Sequence, residues 1–175
     1  MKNIFTNLPI YIKKLKSNTN YKVAKILFRN ALKISTAESC TGGLLSSRLT
    51  DISGSSSYTS MNFVTYSNEA KQKFLNVSQE TLKNYGAVSE QCAYEMAKGL
   101  QALTGSDIAL CTTGIAGPTG DENKPVGLLY AACAYKDKIT VKSYILNPKI
   151  NRKNMKFMFT ECALNLLLDI LKEEI

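Results

Sequence analysis

The chain of 175 residues contains no histidine, and this absence bears on a motif with two candidate nucleophiles. The segment S-T-A-E-S-C-T-G-G, residues 35–43, places Ser39 and Cys40 directly ahead of a glycine pair. A serine hydroxyl is a weak nucleophile at neutral pH unless a neighbouring base accepts its proton. Because imidazole, the most frequent base, is excluded, any chemistry at Ser39 requires another proton acceptor.

The chain also lacks the features of membrane-spanning, secreted and zinc-binding proteins. No apolar run approaches the roughly 20 residues that a spanning helix needs, and no small-residue cleavage site follows the N-terminal stretch N-I-F-T-N-L-P-I-Y-I, which argues against a signal peptide. Five scattered cysteines without a C-x-x-C pair provide no zinc ligand set. We therefore expect no metal and reduced thiols in the cytoplasm, with Cys111 and Cys133 as small core residues.

Acidic residues are absent from the first 37 positions, which carry eight lysines and arginines. From Glu38 onward the chain has 14 basic and 14 acidic residues, so the net charge of +8 is an N-terminal feature. Residues 1–17 form a basic N-terminal extension that either contacts anionic lipid or RNA or is a solvated tail. We favour the solvated tail and expect no nucleic-acid partner and no membrane span.

Residues 18–175 read as one domain in which helices alternate with about five strands. Helical spacing runs from Tyr21 to Lys33, over 42–50 after S-C-T, over 67–75, from Ser89 to Thr104 and from about Arg152 to Glu173. Strand-like runs cover residues 33–37, 61–66, 107–113, 126–135 and 139–146. The short K-D-K between the last two favours an antiparallel hairpin. This pattern predicts an α/β fold with helices on both faces of one sheet.

Ser39 falls at a predicted strand end, immediately before a helix, where open α/β sheets form their ligand crevice. The N–H groups of Cys40, Thr41 and Gly42 are candidates for holding an oxyanion or a phosphate there. Lys71, in the first turn of the next helix, is the candidate base, because the helix dipole and burial both lower a lysine pKa. Tyr66 is a candidate relay or orienting group between Ser39 and Lys71.

Alternatives stay open for each of these residues. Cys40 is either a rival nucleophile, since helix N-termini favour thiolates, or a packing residue. Taken in isolation, a lysine at the position of Lys71 is typically solvated. A serine at the position of Ser39 typically caps a helix. Glu38 is interpreted as orienting the nucleophile loop.

Further candidates for substrate binding lie in three other segments. Thr113, Gly114 and Ala116 belong to a strand-end loop that either lines the pocket or forms only a tight turn. Arg152 either contacts a phosphate or belongs to a solvated helix face. Asn68 either binds ligand or caps the helix that starts there. Ser67 is the other candidate for the helix cap.

Five motifs in fixed order carry a resemblance that covers roughly residues 20–172: T-A-E-S-C-T-G-G, F-V-T-Y-S-N-E-A-K, G-A-V-S-E, T-G-I-A-G-P and K-P-V-G. With them the chain resembles the CinA C-terminal domain family, and within it the stand-alone nicotinamide-nucleotide amidases. The resemblance implies a three-layer α/β/α sandwich with a mixed sheet of about five strands. It also implies Ser39 as nucleophile, assisted by Lys71 and Tyr66.

The activity implied by the resemblance is hydrolysis of nicotinamide mononucleotide (NMN) to nicotinate mononucleotide and ammonia, in pyridine-nucleotide salvage, with no metal or organic cofactor. A homodimer is compatible with the family. The alternative is a non-catalytic nucleotide-binding or competence-associated domain. Two positions depart from the family pattern: Asn62 stands where many members have glycine, and Asp121 replaces a second glycine after G-P-T-G.

Overall fold

The computed structural model of the chain describes residues 18–120 and 123–174. Within these ranges the six α-helices are α1 (Thr19–Arg29), α2 (Leu44–Thr50), α3 (Asn68–Leu75), α4 (Gln79–Asn84), α5 (Glu90–Thr104) and α6 (Arg152–Glu174). The five strands are β1 (Ile34–Glu38), β2 (Thr59–Val64), β3 (Ile108–Gly114), β4 (Leu128–Tyr135) and β5 (Lys138–Ile145).

The strands form one mixed sheet in the order β2-β1-β3-β4-β5. Strand β1 is parallel to both β2 and β3, whereas β4 is antiparallel to β3 and β5. The predicted hairpin between β4 and β5 is confirmed. Because β1, β2 and β3 run in the same direction, with Glu38 paired to Val64 and to Thr112, the loops that follow them meet at one edge of the sheet.

Two hydrophobic clusters pack against opposite faces of the sheet. Along β3, Ile108 and Leu110 join the cluster that includes buried residues of α1, α2 and α6. Ala109 and Cys111 point the other way, into the cluster formed with α3 and α5. This alternation follows from the two-residue period of a strand. The predicted three-layer α/β/α sandwich is confirmed.

The boundaries predicted from the sequence pattern lie within a few residues of the observed ones for most helices and strands. The differences have physical reasons. Helix α1 ends at Arg29 rather than Lys33, because Ala31 takes a left-handed conformation (φ 51°) that breaks the helix before β1. Helix α4 was not predicted. Its first turn is held by the carboxylate of Glu95 on α5, which accepts hydrogen bonds from Ser78 N and Thr81 Oγ1, a contact that local spacing does not reveal.

All five cysteines are buried free thiols, so the interpretation of Cys111 and Cys133 as core residues is confirmed. None of the helices within 18–120 and 123–174 is long and apolar enough to cross a bilayer. The basic extension, residues 1–17, and Asp121 lie outside the described residues. The domain boundary after residue 17 therefore stays a prediction.

Candidate active site

A cleft of about 280 Å³ opens at the sheet edge where the loops after β1, β2 and β3 meet. Six of the lining residues were predicted for the site: Ser39, Cys40, Tyr66, Gly114, Ala116 and Arg152. Five were not predicted: Val88, Ile115, Gly117, Thr119 and Gly120. The lining residues come from five separate segments of the chain. The sheet topology is what brings these segments together.

The side-chain nitrogen of Lys71 is the nearest basic group to the Ser39 hydroxyl. Lys71 Nζ lies 3.3 Å from Ser39 Oγ, 2.9 Å from the carbonyl oxygen of Thr65 and 3.2 Å from the carbonyl oxygen of Tyr66. Both carbonyls belong to the turn between β2 and α3. The structure therefore brings the predicted nucleophile and the predicted base into direct contact.

Lys71 is 1% exposed, which is unusual for a lysine. Burial is the main cause that lowers its pKa, opposed by weaker interactions with the thiols of Cys92 and Cys40. No carboxylate within the described residues forms an ion pair with Lys71. Burial without a counter-charge favours the neutral amine.

Helix α3, which carries Lys71, packs closely against α5. Gly99 of α5 lies against the C-terminal end of α3, where a Cβ at position 99 would overlap the carbonyl oxygen of Leu75. At its other end α3 is capped by Ser67, whose Oγ accepts a hydrogen bond from Ala70 N at 3.0 Å. These contacts hold the first turn of α3 against the strand ends.

The turn after Ser39 is organised by the fully buried carboxylate of Glu38. Glu38 Oε2 accepts from the N–H groups of Gly43 and Leu45, and Oε1 accepts from the N–H and hydroxyl of Ser46. The start of α2 is therefore occupied by this side chain. This geometry agrees with the interpretation of Glu38 as the residue that orients the nucleophile loop.

The three candidate N–H donors of this loop differ in their availability. The N–H of Gly42 donates to the Ser39 carbonyl oxygen at 3.2 Å, within a turn where Gly42 has φ 59°. The N–H groups of Cys40 and Thr41 make no main-chain hydrogen bond within the described residues. The Thr41 hydroxyl points inward, 2.8 Å from Thr112 Oγ1. Of these three residues, Cys40 lines the cleft, and the Gly42 N–H is engaged within the turn.

Cys40 combines a backbone position at the cleft with a buried thiol. Its side chain belongs to the cluster on the α6 face of the sheet, and burial raises the pKa of the thiol to about 12. A thiol with such a pKa is almost entirely protonated near neutral pH, so it is a poor nucleophile. The packing interpretation of Cys40 fits these observations better than the rival-nucleophile interpretation.

Tyr66 contacts two different parts of the site. Its carbonyl oxygen accepts from Lys71 Nζ, whereas its side chain is exposed and its hydroxyl accepts from Arg152 at 3.1 Å. The same guanidinium donates to the carbonyl oxygen of Gly117 at 2.7 Å. A hydroxyl relay between Ser39 and Lys71 would require the Tyr66 side chain to leave Arg152, and it stays a prediction.

The remaining predicted binding residues divide into two groups. Gly114 and Ala116 line the cleft. The Thr113 hydroxyl instead donates to the carbonyl oxygen of Ala87 at 2.7 Å, so it supports the loop that carries Val88. Asn68 is exposed in the first turn of α3, while Ser67 provides the cap.

Asn62, one of the two departures from the family pattern, connects to the nucleophile loop through hydroxyl groups. Asn62 Oδ1 accepts from the N–H of Thr36 at 3.2 Å and lies 2.9 Å from Thr36 Oγ1, whose single hydrogen is shared between Asn62 Oδ1 and Ser46 Oγ. Thr36 Oγ1 lies 2.7 Å from Ser46 Oγ, and Ser46 Oγ lies 2.5 Å from Glu38 Oε1. Asn62 is therefore connected, through the hydroxyl groups of Thr36 and Ser46, to the carboxylate of Glu38, the residue that precedes Ser39. Spacing alone offers no signal for this chain of hydrogen bonds.

Comparison with known proteins identifies the family of the chain. The family described as CinA C-terminal domain matches residues 16–171. The chain belongs to this family. A CinA-like protein of Chloroherpeton thalassium is 50% identical over 152 residues, covering 85% of this chain, and one of Syntrophomonas wolfei is 48% identical over 146 residues, covering 83%. The chain spans only 36% and 35% of the lengths of these two CinA-like proteins.

Solved CinA structures share the fold over most of the chain. The competence damage-inducible protein A of Klebsiella pneumoniae superposes with a TM-score of 0.86 at 33% identity, over 90% of this chain and 97% of that one. A competence/damage inducible protein of Agrobacterium tumefaciens gives a TM-score of 0.82 at 36% identity, over 89% and 97%. The mixed sheet and its helical layers are therefore those of the CinA superfamily.

Proposed function

We propose that this CinA-family domain is an amidohydrolase that converts NMN to nicotinate mononucleotide and ammonia, with Ser39 as nucleophile and Lys71 as base. The observation that carries the proposal is the contact between a buried lysine and the Ser39 hydroxyl at 3.3 Å. Burying an ammonium group without a carboxylate partner is costly. A domain that only binds nucleotides has no need to bear that cost beside a serine.

The polar groups around Lys71 match the hydrogen-bond donors and the acceptor of a neutral amine. A neutral amine has two hydrogens and one lone pair in a tetrahedral arrangement. The carbonyl oxygens of Thr65 and Tyr66 accept the two hydrogens, which leaves the lone pair for the hydroxyl hydrogen of Ser39. Ser39 then loses its proton to Lys71 as its oxygen attacks the carboxamide carbon of the substrate.

The tetrahedral intermediate needs hydrogen-bond donors for its oxyanion. The N–H groups of Cys40 and Thr41 are the donors of this loop that make no main-chain hydrogen bond within the described residues, and Glu38 holds the turn that presents them. Fixed donors of this kind stabilise charge that develops in the transition state. Collapse of the intermediate breaks the C–N bond, and the Lys71 ammonium returns its proton to the leaving nitrogen, which departs as ammonia.

Deacylation repeats the same proton transfers with water. Lys71, neutral again, accepts a proton from a water molecule that attacks the acyl-Ser39 ester. The ester bond breaks, the proton returns to Ser39 Oγ, and nicotinate mononucleotide is released. The two carbonyls that hold Lys71 also stabilise its transient charge, since carbonyl oxygens accept equally well from an ammonium group.

Recognition of the nucleotide is assigned to the part of the cleft that Arg152 lines. Arg152 is the cation of that part, and its guanidinium is held by the Gly117 carbonyl and the Tyr66 hydroxyl. We assign Arg152 to the phosphate, because a planar guanidinium is well suited to phosphate oxygens, and Gly114 and Ala116 to the pyridine ring. The five buried free thiols support a reducing cytoplasmic location.

The names of the related structures favour a second candidate, a competence-associated domain without catalysis. One assay separates the two. Purified protein is incubated with NMN, and ammonia and nicotinate mononucleotide are quantified, with Ser39→Ala as the matched control. We expect both products in equal amounts from the wild-type chain and none above background from the variant. Equal background release from both proteins at high enzyme concentration would exclude the amidase.

A further inference from the structure

A second depression lies beside the cleft and shares Arg152 with it. This open groove of about 660 Å³, called the basic groove below, is lined by Gly42, Gly43, Leu44, Ser47, Arg152, Lys153 and Lys156. Three of its seven lining residues are cationic and none is acidic. The groove and the catalytic cleft are thus continuous through one guanidinium, which lines both.

Among the residues that the structure describes, no acidic side chain is paired with either lysine of the basic groove, Lys153 or Lys156. Helix α6, which carries both, has no acidic residue in its first turn. Cations near a helix N-terminus are disfavoured by the helix dipole and repel one another. The arrangement therefore gives the groove a positive potential that favours binding of an anion.

The third cation is already engaged. Arg152 donates to the Gly117 carbonyl and the Tyr66 hydroxyl on the cleft side, so it faces the pocket where we place the substrate phosphate. The ammonium group of Lys156 lies on the other side, 3.2 Å from the position that a Cβ of Gly42 would occupy. Because Gly42 has no side chain, this ammonium can lie close to the loop that follows Ser39.

We propose that the basic groove is a second phosphoryl subsite, in which Lys153 and Lys156 hold a phosphoryl group adjacent to the one on Arg152. The ligand class is a compound with two linked phosphoryl groups. A phosphoryl group suits the site because its several oxygens can meet two lysine ammonium groups at once. The placement of the first phosphoryl group on Arg152 rests on the proposed function, whereas the anion affinity of the groove does not.

Two sources provide this chemistry. One is a dinucleotide in which NMN is linked through pyrophosphate to a second nucleoside, such as NAD, which would extend from the cleft into the groove. The other is a free polyphosphate that occupies Arg152 and the groove and competes with the substrate. Both require the same two lysines. They differ in whether the pyridine nucleoside adds to the binding of the pyrophosphate.

Binding of inorganic pyrophosphate tests the subsite without any turnover. Its dissociation constant, and that of inorganic phosphate, are measured by calorimetry on the Ser39→Ala chain at fixed ionic strength. The same measurements are made after adding Lys153→Gln and Lys156→Gln, or the charge-matched control pair Lys98→Gln and Lys172→Gln on exposed helix positions. We expect pyrophosphate to bind at least about tenfold more tightly than phosphate, and only the groove pair to abolish this preference.

Equal affinity for phosphate and pyrophosphate, or an equal loss in the control pair, would overturn the proposal. NAD then distinguishes the sources: tighter binding of NAD than of pyrophosphate indicates the dinucleotide, and the reverse indicates the free polyphosphate. NMN provides a further check. If the groove pair weakens NMN as much as NAD and pyrophosphate, the groove holds a single phosphate and the second subsite is refuted. A chain that fails to hydrolyse NMN but prefers pyrophosphate would refute the amidase and retain the subsite.

Discussion

Lys71 Nζ and Ser39 Oγ lie 3.3 Å apart across 32 positions of sequence, with the lysine buried and the serine at the mouth of a cleft. Two main-chain carbonyls hold the lysine in this position. The pair therefore has the contact that the proposed nucleophile and the proposed base require. The predictions below follow from this contact and from the loop beneath it.

Replacing Lys71 by arginine should lower kcat by at least about 100-fold, because guanidinium does not lose its proton near neutral pH. Ser39→Ala should lower kcat further, by about 10⁴-fold or more. Steady-state release of ammonia from NMN measures both. Lys73→Arg, at an exposed position of the same helix, is the matched control and should retain wild-type rates. Near-normal activity of Lys71→Arg would remove the lysine base from the mechanism.

The pH dependence of catalysis should follow the titration of Lys71. Because its pKa is lowered by burial and the neutral form is the base, kcat/KM for NMN should rise with pH through this lowered pKa and then level off. A rate profile in NMN from acid to alkaline buffers measures it. A flat profile over that range would contradict a lysine base.

Protein stability should show the same titration with a defined sign. Between the lowered pKa and 10.5, the folded state has released the Lys71 proton while the unfolded state retains it, so the free energy of unfolding rises with pH. Below the lowered pKa both states are protonated, and the full cost of burying the charge remains. Urea unfolding of wild type and Lys71→Met across this window should show a steeper rise in the wild type. Parallel curves would contradict a burial-lowered pKa.

Cys40→Ala should retain most of the activity, with kcat/KM lowered by no more than about threefold, because the proposed chemistry uses the N–H of residue 40 and not its thiol. The thiol pKa of about 12 also predicts that iodoacetamide does not abolish the proposed activity of the native protein near neutral pH. Mass spectrometry of the treated protein measures the modification. Loss of activity in Cys40→Ala comparable to that in Ser39→Ala would identify Cys40 as the nucleophile.

Asn62→Gly should lower kcat for NMN by about fivefold with little change in KM, since losing a hydrogen bond worth about 1 kcal/mol loosens the chain through Thr36 and Ser46 to Glu38. Ser60→Gly, at another exposed position of β2, introduces the same glycine flexibility without touching the chain. If both variants lose activity equally, strand flexibility rather than positioning explains the effect. In a Thr36→Val background, where the chain is already broken, Asn62→Gly should cause no further loss of kcat.

Most of the elements, and the contact partners Ser39 and Lys71 as candidates, could be predicted from local pattern. Helical spacing with a serine at its start predicted α3 and α5, and the strand–turn–helix context of Ser39 predicted its place at the sheet edge. The position of Lys71 in the first turn of α3 followed from the same pattern. Such features depend on residues within a few positions of one another, which is why sequence suffices for them.

Other features of the site could not be predicted because they depend on contacts between distant segments. Sequence did not show that the Gly42 N–H is engaged by the Ser39 carbonyl oxygen, because the geometry of the turn decides this. It also did not reveal that the Tyr66 hydroxyl pairs with Arg152, 86 positions away. The basic groove arises from the packing of the start of α6 against the glycine pair.

By itself, the order of amino acids determined the family, most of the elements and the presence of a serine and a lysine without histidine. Only the tertiary structure decided the state of that lysine. Lys71 is buried, and its amine is held by two carbonyls from the turn after β2, while α5 packs closely against α3 at Gly99. The pKa of an amine follows from the water and charge around it, and those surroundings exist only once distant parts of the chain have packed together.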